Sequence, residues 1–185
     1  MRTTVEVSAH HIHLTRDDFF QLFAKEDPTI RNELSQTGEF AAIETVEVVG
    51  PKNRITKVRV LGPFRENSQL ELSRTDCIGL GIEAPYIESG TDNGSKVKVV
   101  GPRGEIFKDI AIVAMRHIHL SPKKAKEFGL KDGDFISIES KGDRSTKLNK
   151  IIVRVAENFT NNIHIDTDEA NASGISSGQQ VEIIK

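Results

Sequence analysis

One short pattern occurs twice in this chain and constrains everything else about it. Ser8-Ala9-His10-His11-Ile12-His13-Leu14-Thr15 returns as Ala114-Met115-Arg116-His117-Ile118-His119-Leu120-Ser121. Five of the six histidines fall in these two segments, and the sixth lies in Ile163-His164-Ile165. A second echo joins Val46-Glu47-Val48-Val49-Gly50-Pro51-Lys52 to Val97-Lys98-Val99-Val100-Gly101-Pro102-Arg103. Two copies are too few for a stacked array, so the chain reads as two related halves sharing a site. The halves are drawn at about 1–90, with His11, His13 and Glu71, and about 91–185, with His117, His119 and His164, an exchange of terminal strands between the barrels being compatible with the repeat.

The elements around the repeats are mostly strands. Ile43–Val49, Ile55–Leu61, Lys96–Val100, Ile110–Met115, Phe135–Glu139, Ile151–Val155 and Val181–Ile184 are rich in Val and Ile and bounded by Gly, Pro or Asp-Gly. Each His-x-His stretch runs into a helix start. Thr15 is placed to cap Arg16–Lys25, with Asp18 completing a capping box; Ser121 caps a second helix that has Pro122 at its first position and Gly129 at its end. Only Glu26–Gln36 carries no clear pattern. Short strands at this spacing predict a mainly β protein of two small barrels, with short helices after each His-x-His strand.

Composition removes several function classes. With 185 residues there is material for one domain or two small ones. Lys+Arg number 25 against 27 Asp+Glu, a net charge of −2, which speaks against a broad nucleic-acid-binding surface. No apolar run approaches the roughly 20 residues of a membrane span, and no signal peptide opens the chain. A single cysteine, Cys77, fits a reducing cytoplasm and reads as a small buried residue rather than a nucleophile. Walker, dinucleotide-binding and serine-elbow motifs are missing.

The histidine spacing has direct chemical meaning. Residues i and i+2 of a strand share a face, so His11 and His13 present two imidazoles together, as do His117 and His119, while Ile12 and Ile118 face a core. Near neutral pH imidazole is mostly uncharged and free to bind a metal. Two such ligands and a third from elsewhere make a zinc site with an open position. His164 can supply that third ligand, and the acidic run after it reads as the cap of a short helix. Glu71 projects from a strand whose other face carries Leu70 and Leu72, and it could complete a set with His11 and His13. Arg65 and Arg74 are candidate oxyanion binders.

Taken in order along the chain, these motifs resemble the PduL-type phosphate propanoyltransferases, a phosphotransacylase family. The paired histidine strands, Gly62-Pro63-Phe64-Arg65 leading to Glu71-Leu72-Ser73-Arg74-Thr75-Asp76, and His164-Ile165-Asp166-Thr167-Asp168-Glu169-Ala170-Asn171 carry the resemblance. It implies a pair of β-barrels holding two zinc ions, one on His11, His13 and Glu71 and the other on His117, His119 and His164. It further implies interconversion of a short acyl-CoA (propanoyl- or acetyl-CoA) plus phosphate with acyl phosphate plus CoA. Arg65 matches the phosphate contact, and Ser8, Arg59, Leu61 and Asn171 match positions lining the coenzyme A site. Two departures stand out: His10 where the family usually has Arg, and Asn32 where it often has Lys. The start close to the first β segment, without an amphipathic extension, suits a cytoplasmic member rather than an encapsulated one, and a homodimer suits so small a barrel pair. A binuclear zinc hydrolase and a metal-stabilised binding module are the competing readings.

Overall fold

In the computed structural model, which describes residues 1–184, strands dominate. In chain order they are β1 (Arg2–Ser8), β2 (His11–His13), β3 (Ile30–Glu33), β4 (Phe40–Val49), β5 (Arg54–Gly62), β6 (Gln69–Glu71) and β7 (Tyr86–Ile87). There follow β8 (Ser95–Val100), β9 (Glu105–Ala114), β10 (His117–Leu120), β11 (Phe135–Glu139), β12 (Lys147–Val155), β13 (Asn162–Asp166) and β14 (Gln180–Ile184). The helices are α1 (Arg16–Phe23), α2 (Arg74–Leu80), α3 (Pro122–Phe128) and α4 (Thr167–Ser173). All seven strands expected from sequence are present, several of them longer than the apolar pattern alone suggests. The unassigned stretch Glu26–Gln36 holds β3, an exposed strand paired only with β4. None of the described helices is long and apolar enough to cross a membrane.

Two compact units form, and they do not coincide with the halves 1–90 and 91–185. One is His10–Ala114; the other combines Met1–Ala9 with the chain from Met115 onward. Strand pairing explains the shift. In the first unit β4, β5, β2, β6, β9 and β8 form a closed ring, β8 pairing with both β9 and β4. Removing β8 and β9 at residue 90 would open that ring and expose two unpaired edges. In the second unit β1, β13, β10, β12, β11 and β14 close a barrel, with β1 parallel to β13 and antiparallel to β14. Each barrel has its own core. Val46, Val48, Val58, Val60, Leu70, Val97 and Val99 fill the first, and Val5, Ile136, Ile138, Ile151, Val153, Ile163 and Ile165 the second. As the strand alternation predicts, Ile12 and Ile118 are fully buried among them.

The two sequence echoes have different origins. The His-x-His repeat relates one unit to the other, but both copies of the Val-Gly-Pro echo lie in the first unit, at the β4–β5 and β8–β9 turns. Gly50 N–H donates to Asn53 O and Gly101 N–H to Gly104 O, both at 2.9 Å. Lys52 N–H then binds Leu80 O at the end of α2, and Arg103 N–H binds Leu22 O near the end of α1, both at 3.0 Å. A Cβ on either Gly50 or Gly101 would collide with that helix carbonyl, so glycine is what lets each turn dock on its helix. This echo is therefore an internal symmetry of one barrel.

Capping follows the sequence with one correction. Thr15, Ser73, Ser121 and Asp166 are the N-caps of the four helices, and Gly129 ends α3 in the left-handed region. Asp18, however, does not complete a box with Thr15. Its buried carboxylate accepts from Ser68 Oγ at 2.5 Å and from Lys108 Nζ at 2.6 and 2.8 Å, while Thr15 N–H donates to Ser68 Oγ at 2.9 Å. A charged lysine and a hydroxyl are stronger partners for a buried carboxylate than the cap amide. The network ties the start of α1, the helix that follows the first histidine pair, to β9 and to the residue before β6, the strand that pairs with those histidines. Asp18→Ala is expected to destabilise the protein by about 1–3 kcal/mol, because it strands Ser68 and Lys108; the urea midpoint of unfolding measures it.

Candidate metal centres

In the first unit β2 lies between β5 and β6. Its register with antiparallel β6 puts His11 opposite Glu71 and His13 opposite Gln69, and its register with parallel β5 puts them beside Arg59 and Leu61. Alternation along β6 buries Leu70 completely and turns Glu71 to the histidine face. Donor atoms of His11, His13 and Glu71 all lie within 4.8 Å of one another, with His11 Nε2 3.6 Å from Glu71 Oε2. Burial and the neighbouring His11 and Arg65 push His13 well below the usual imidazole range, against weaker opposing effects of Glu71 and the Leu61 main chain. Burial acts to raise Glu71, but His11, His13, the Ser89 hydrogen bond and Arg65 outweigh it and bring the carboxyl down to about 2. At neutral pH the imidazole of His13 is thus uncharged and the carboxylate ionised, which is the protonation state of metal ligands. Nδ1 of His13 is buried and makes no hydrogen bond. Such a lone pair is costly unless something binds it, and a cation at the centre of the cluster would. The nitrogen, nitrogen and oxygen donors present therefore fit a divalent metal such as zinc, with a coordination position to spare.

The second unit repeats the arrangement with a different third residue. β10 is parallel to β12 and antiparallel to β13, where His117 stands opposite His164. His117, His119 and His164 group their donor atoms within 4.8 Å. The His117 and His164 rings are stacked with centroids 5.0 Å apart, and His119 lies against Phe159 at 3.9 Å. His117 Nδ1 engages Met115 O at 2.9 Å, which leaves Nε2 as its ligand atom. Three imidazoles again suit a transition metal with an open position.

Comparing the two clusters shows a rule the sequence repeat alone does not display. In each, the third residue faces the first histidine across an antiparallel pair and precedes a helix N-cap by two positions: Glu71 before Ser73, His164 before Asp166. Both caps are reciprocal boxes whose third helical residue is a carboxylate, Asp76 or Glu169. The residue just before each His-x-His strand binds that carboxylate: His10 Nδ1 reaches Asp76 at 3.3 Å, and Arg116 reaches Glu169 at 2.7 Å. His10 is thus turned to α2, as strand alternation requires, and fills the place that Arg116 fills in the other unit. Its hydrogen bond to Asp76 raises the His10 pKa against the opposing effect of burial.

The remaining sequence candidates divide between the units. Arg65, in the β5–β6 loop, brings Nη1 to 3.8 Å from Glu71 Oε1 and so joins the first cluster. Arg59 and Leu61 lie on β5 beside β2, but the Arg59 guanidinium already donates to Ala42 O and Ile43 O at 3.0 and 2.8 Å. Ser8 ends β1 opposite Asp166, and Asn171 is exposed on α4, both in the second unit. Asn32 lies on exposed β3, Arg74 opens α2, and Cys77 is fully buried with its thiol pushed up chiefly by burial. Sequence reading missed Ser89, which donates to Glu71 Oε1 at 2.5 Å, and Gln69, which shares the Glu71 face. The i, i+2 spacing from Glu71 was available to point to Gln69, and no sequence signal pointed to Ser89.

Two small closed barrels, each holding a three-donor, histidine-rich cluster on a strand face, define a class of β-barrel protein with metal-capable centres. Comparison with known proteins narrows the class. The model of the phosphate propanoyltransferase family matches residues 4–176. A phosphate propanoyltransferase of Levilactobacillus brevis is 45% identical over all of this chain and 89% of its own length. Those of Lachnoclostridium phytofermentans and Thermotoga maritima are 48% and 43% identical, over 97% and 98% of this chain and 86% and 88% of theirs. The chain belongs to the phosphate propanoyltransferase family, and it is an acyltransferase of the phosphate-dependent kind.

Proposed function

We propose that this enzyme transfers a short acyl group, propanoyl or acetyl, between coenzyme A and inorganic phosphate, and that each three-residue cluster holds one zinc ion. The observation that carries the reading is Arg65 beside Glu71, an anion-binding guanidinium at the edge of an open three-donor cluster. A bound zinc ion would supply charge to polarise a carbonyl or phosphoryl oxygen.

This chain's own residues do the rest. Phosphate is a dianion, so Arg65 offsets its charge and holds one oxygen toward the thioester carbon. Ionised Glu71 and uncharged His13 are already in ligand form and need release no proton when the site loads. The phosphate oxygen forms a bond to the carbonyl carbon, the tetrahedral adduct collapses, the C–S bond breaks, and the thiolate leaves with the electron pair. A thiol of ordinary pKa, about 8.5, leaves without strong acid assistance, so no side chain is required to protonate it. Ser8, Arg59, Leu61 and Asn171 are proposed to line the coenzyme A site, and the cytoplasm is the proposed location.

The test follows thiol release from acetyl-CoA and propanoyl-CoA with and without phosphate. Release that requires phosphate and yields acyl phosphate is expected, and the ratio of the two rates ranks the acyl groups. Equal release without phosphate would replace the reading with thioester hydrolysis. A burst of coenzyme A equal to the enzyme, seen without phosphate, would replace direct attack with an acyl-enzyme.

A further inference from the structure

Two polar side chains with no part in the chemistry above occupy the same place in the two clusters. Gln69 lies two residues before Glu71 on β6, and Asn162 lies two residues before His164 on β13. Gln69 is 5% exposed, and both ends of its amide are engaged: Oε1 accepts from Gly90 N–H at 2.8 Å and, at longer range, from Ser89 Oγ at 3.3 Å and Arg65 Nη1 at 3.5 Å, and Nε2 donates to Thr91 O at 2.8 Å. The bonds to Gly90 and Thr91 hold the 88–91 loop against β6. The neighbouring residue of that loop, Ser89, donates to Glu71 Oε1 and lies 3.4 Å from Arg65 Nη1. In the second unit Asn162 Nδ2 donates to Glu6 Oε1 at 2.6 Å, and the other oxygen of Glu6 stands 3.8 Å from His164 Nδ1.

We propose that Gln69 and Asn162 are positioning residues that aim the third ligand of each cluster through an intermediary, Gln69 through Ser89 onto Glu71 and Asn162 through Glu6 onto His164. The physical logic is that a carboxylate or imidazole free to rotate offers its donor atom only part of the time, and an outer hydrogen bond, as at Glu71, or a facing carboxylate, as at His164, restricts that freedom before the metal arrives. Ser89 is itself on a loop with little regular structure, so it can orient Glu71 only if something orients Ser89. Buried between strand and loop, the Gln69 amide supplies a donor and an acceptor from two separate atoms, whereas an ionised carboxylate offers no donor and a hydroxyl has a single oxygen to serve both partners. The same ligand-minus-two position serving the same end in both units makes a chance contact a poor explanation. The inference rests on the metal-loaded transferase reading, but part of its test does not.

In the wild-type protein, hydrogen exchange read by NMR should find the Gly90 amide protected, although it has no main-chain acceptor. Exchange at the rate of an open loop would mean that the lock does not exist, whatever the enzyme does. Gln69→Met keeps the bulk and removes the amide's bonds to Gly90 and Thr91 together with its longer ones to Ser89 and Arg65; it should speed Gly90 exchange and weaken zinc binding at one of two sites by about 10-fold or more, measured by competition with a chelator. Ser89→Ala should weaken zinc to a similar degree, and the double variant should be no worse than the weaker single one, because both act on Glu71 in series. Additive losses, or unchanged zinc affinity in Ser89→Ala, would overturn the proposal. Asn162→Leu should lower affinity at the other site alone. Loss of zinc binding in these variants with no phosphate-dependent release in the wild type would sink the transferase reading and leave the positioning role standing.

Discussion

Replacing His13 with alanine is expected to remove one of two bound zinc equivalents and to lower phosphate-dependent coenzyme A release by about 10³-fold, the rate equivalent of losing several kcal/mol of charge stabilisation. The size of the effect follows from the position. His13 is 3% exposed, faces the same cluster as His11 and Glu71, and carries the one buried nitrogen of the three residues that makes no hydrogen bond. Two donors remain after the substitution, and two donors hold zinc far less tightly than three. Zinc content by mass spectrometry should fall from two to one, and the rise in melting temperature on adding zinc should shrink, because a ligand stabilises only the fold that binds it. Unchanged zinc content with full loss of activity would give His13 a role in the reaction instead of in metal binding. The matching change His117→Ala should empty the other site and spare this one.

The second large effect is expected at Arg65. Arg65→Ala should cost about 10²–10³ in kcat/KM for phosphate, the scale expected when a bound anionic reactant loses the charged donor that holds and orients it. KM for the acyl-CoA should stay within about twofold, since the guanidinium is assigned to phosphate alone. Arg65→Lys should recover only part of the loss, because an ammonium places one point charge where a guanidinium places a planar pair of donors. The side chain is partly open to solvent and lies 3.8 Å from Glu71, so its removal should leave the fold intact; the melting temperature checks this. An equal loss against both substrates would reassign Arg65 to the stability of the cluster.

Much of this protein is readable from short stretches of sequence. Alternation placed Ile12 and Ile118 in cores and His11, His13, His117 and His119 on the opposite face, and the caps Thr15 and Ser121 started helices where expected. Such signals are local, so neighbouring residues suffice to set them. The first unit runs on past residue 90 to Ala114, because whether β8 and β9 stay with it depends on which distant edges they close. Asp18 was misassigned for a related reason: its strongest partner, Lys108, is far away in sequence and arrives only with β9.

By itself the sequence determined the chemistry on offer: which residue types stand at i and i+2 of a strand, where helices start, and that two copies of one device are present. Tertiary structure alone decided that Glu71 stands across from His11 and His164 across from His117, that His10 turns to Asp76, and that a loop carrying Ser89 is locked beside Glu71 by Gln69. The physical reason is register. A strand's own pattern says which way each side chain points but not which strand will lie beside it, and a slip of one residue would send Glu71 into the core and Leu70 to the histidines. Ring closure chooses the register, and both the burial that keeps His13 uncharged and the neighbours that keep Glu71 ionised against burial exist only once the ring is closed.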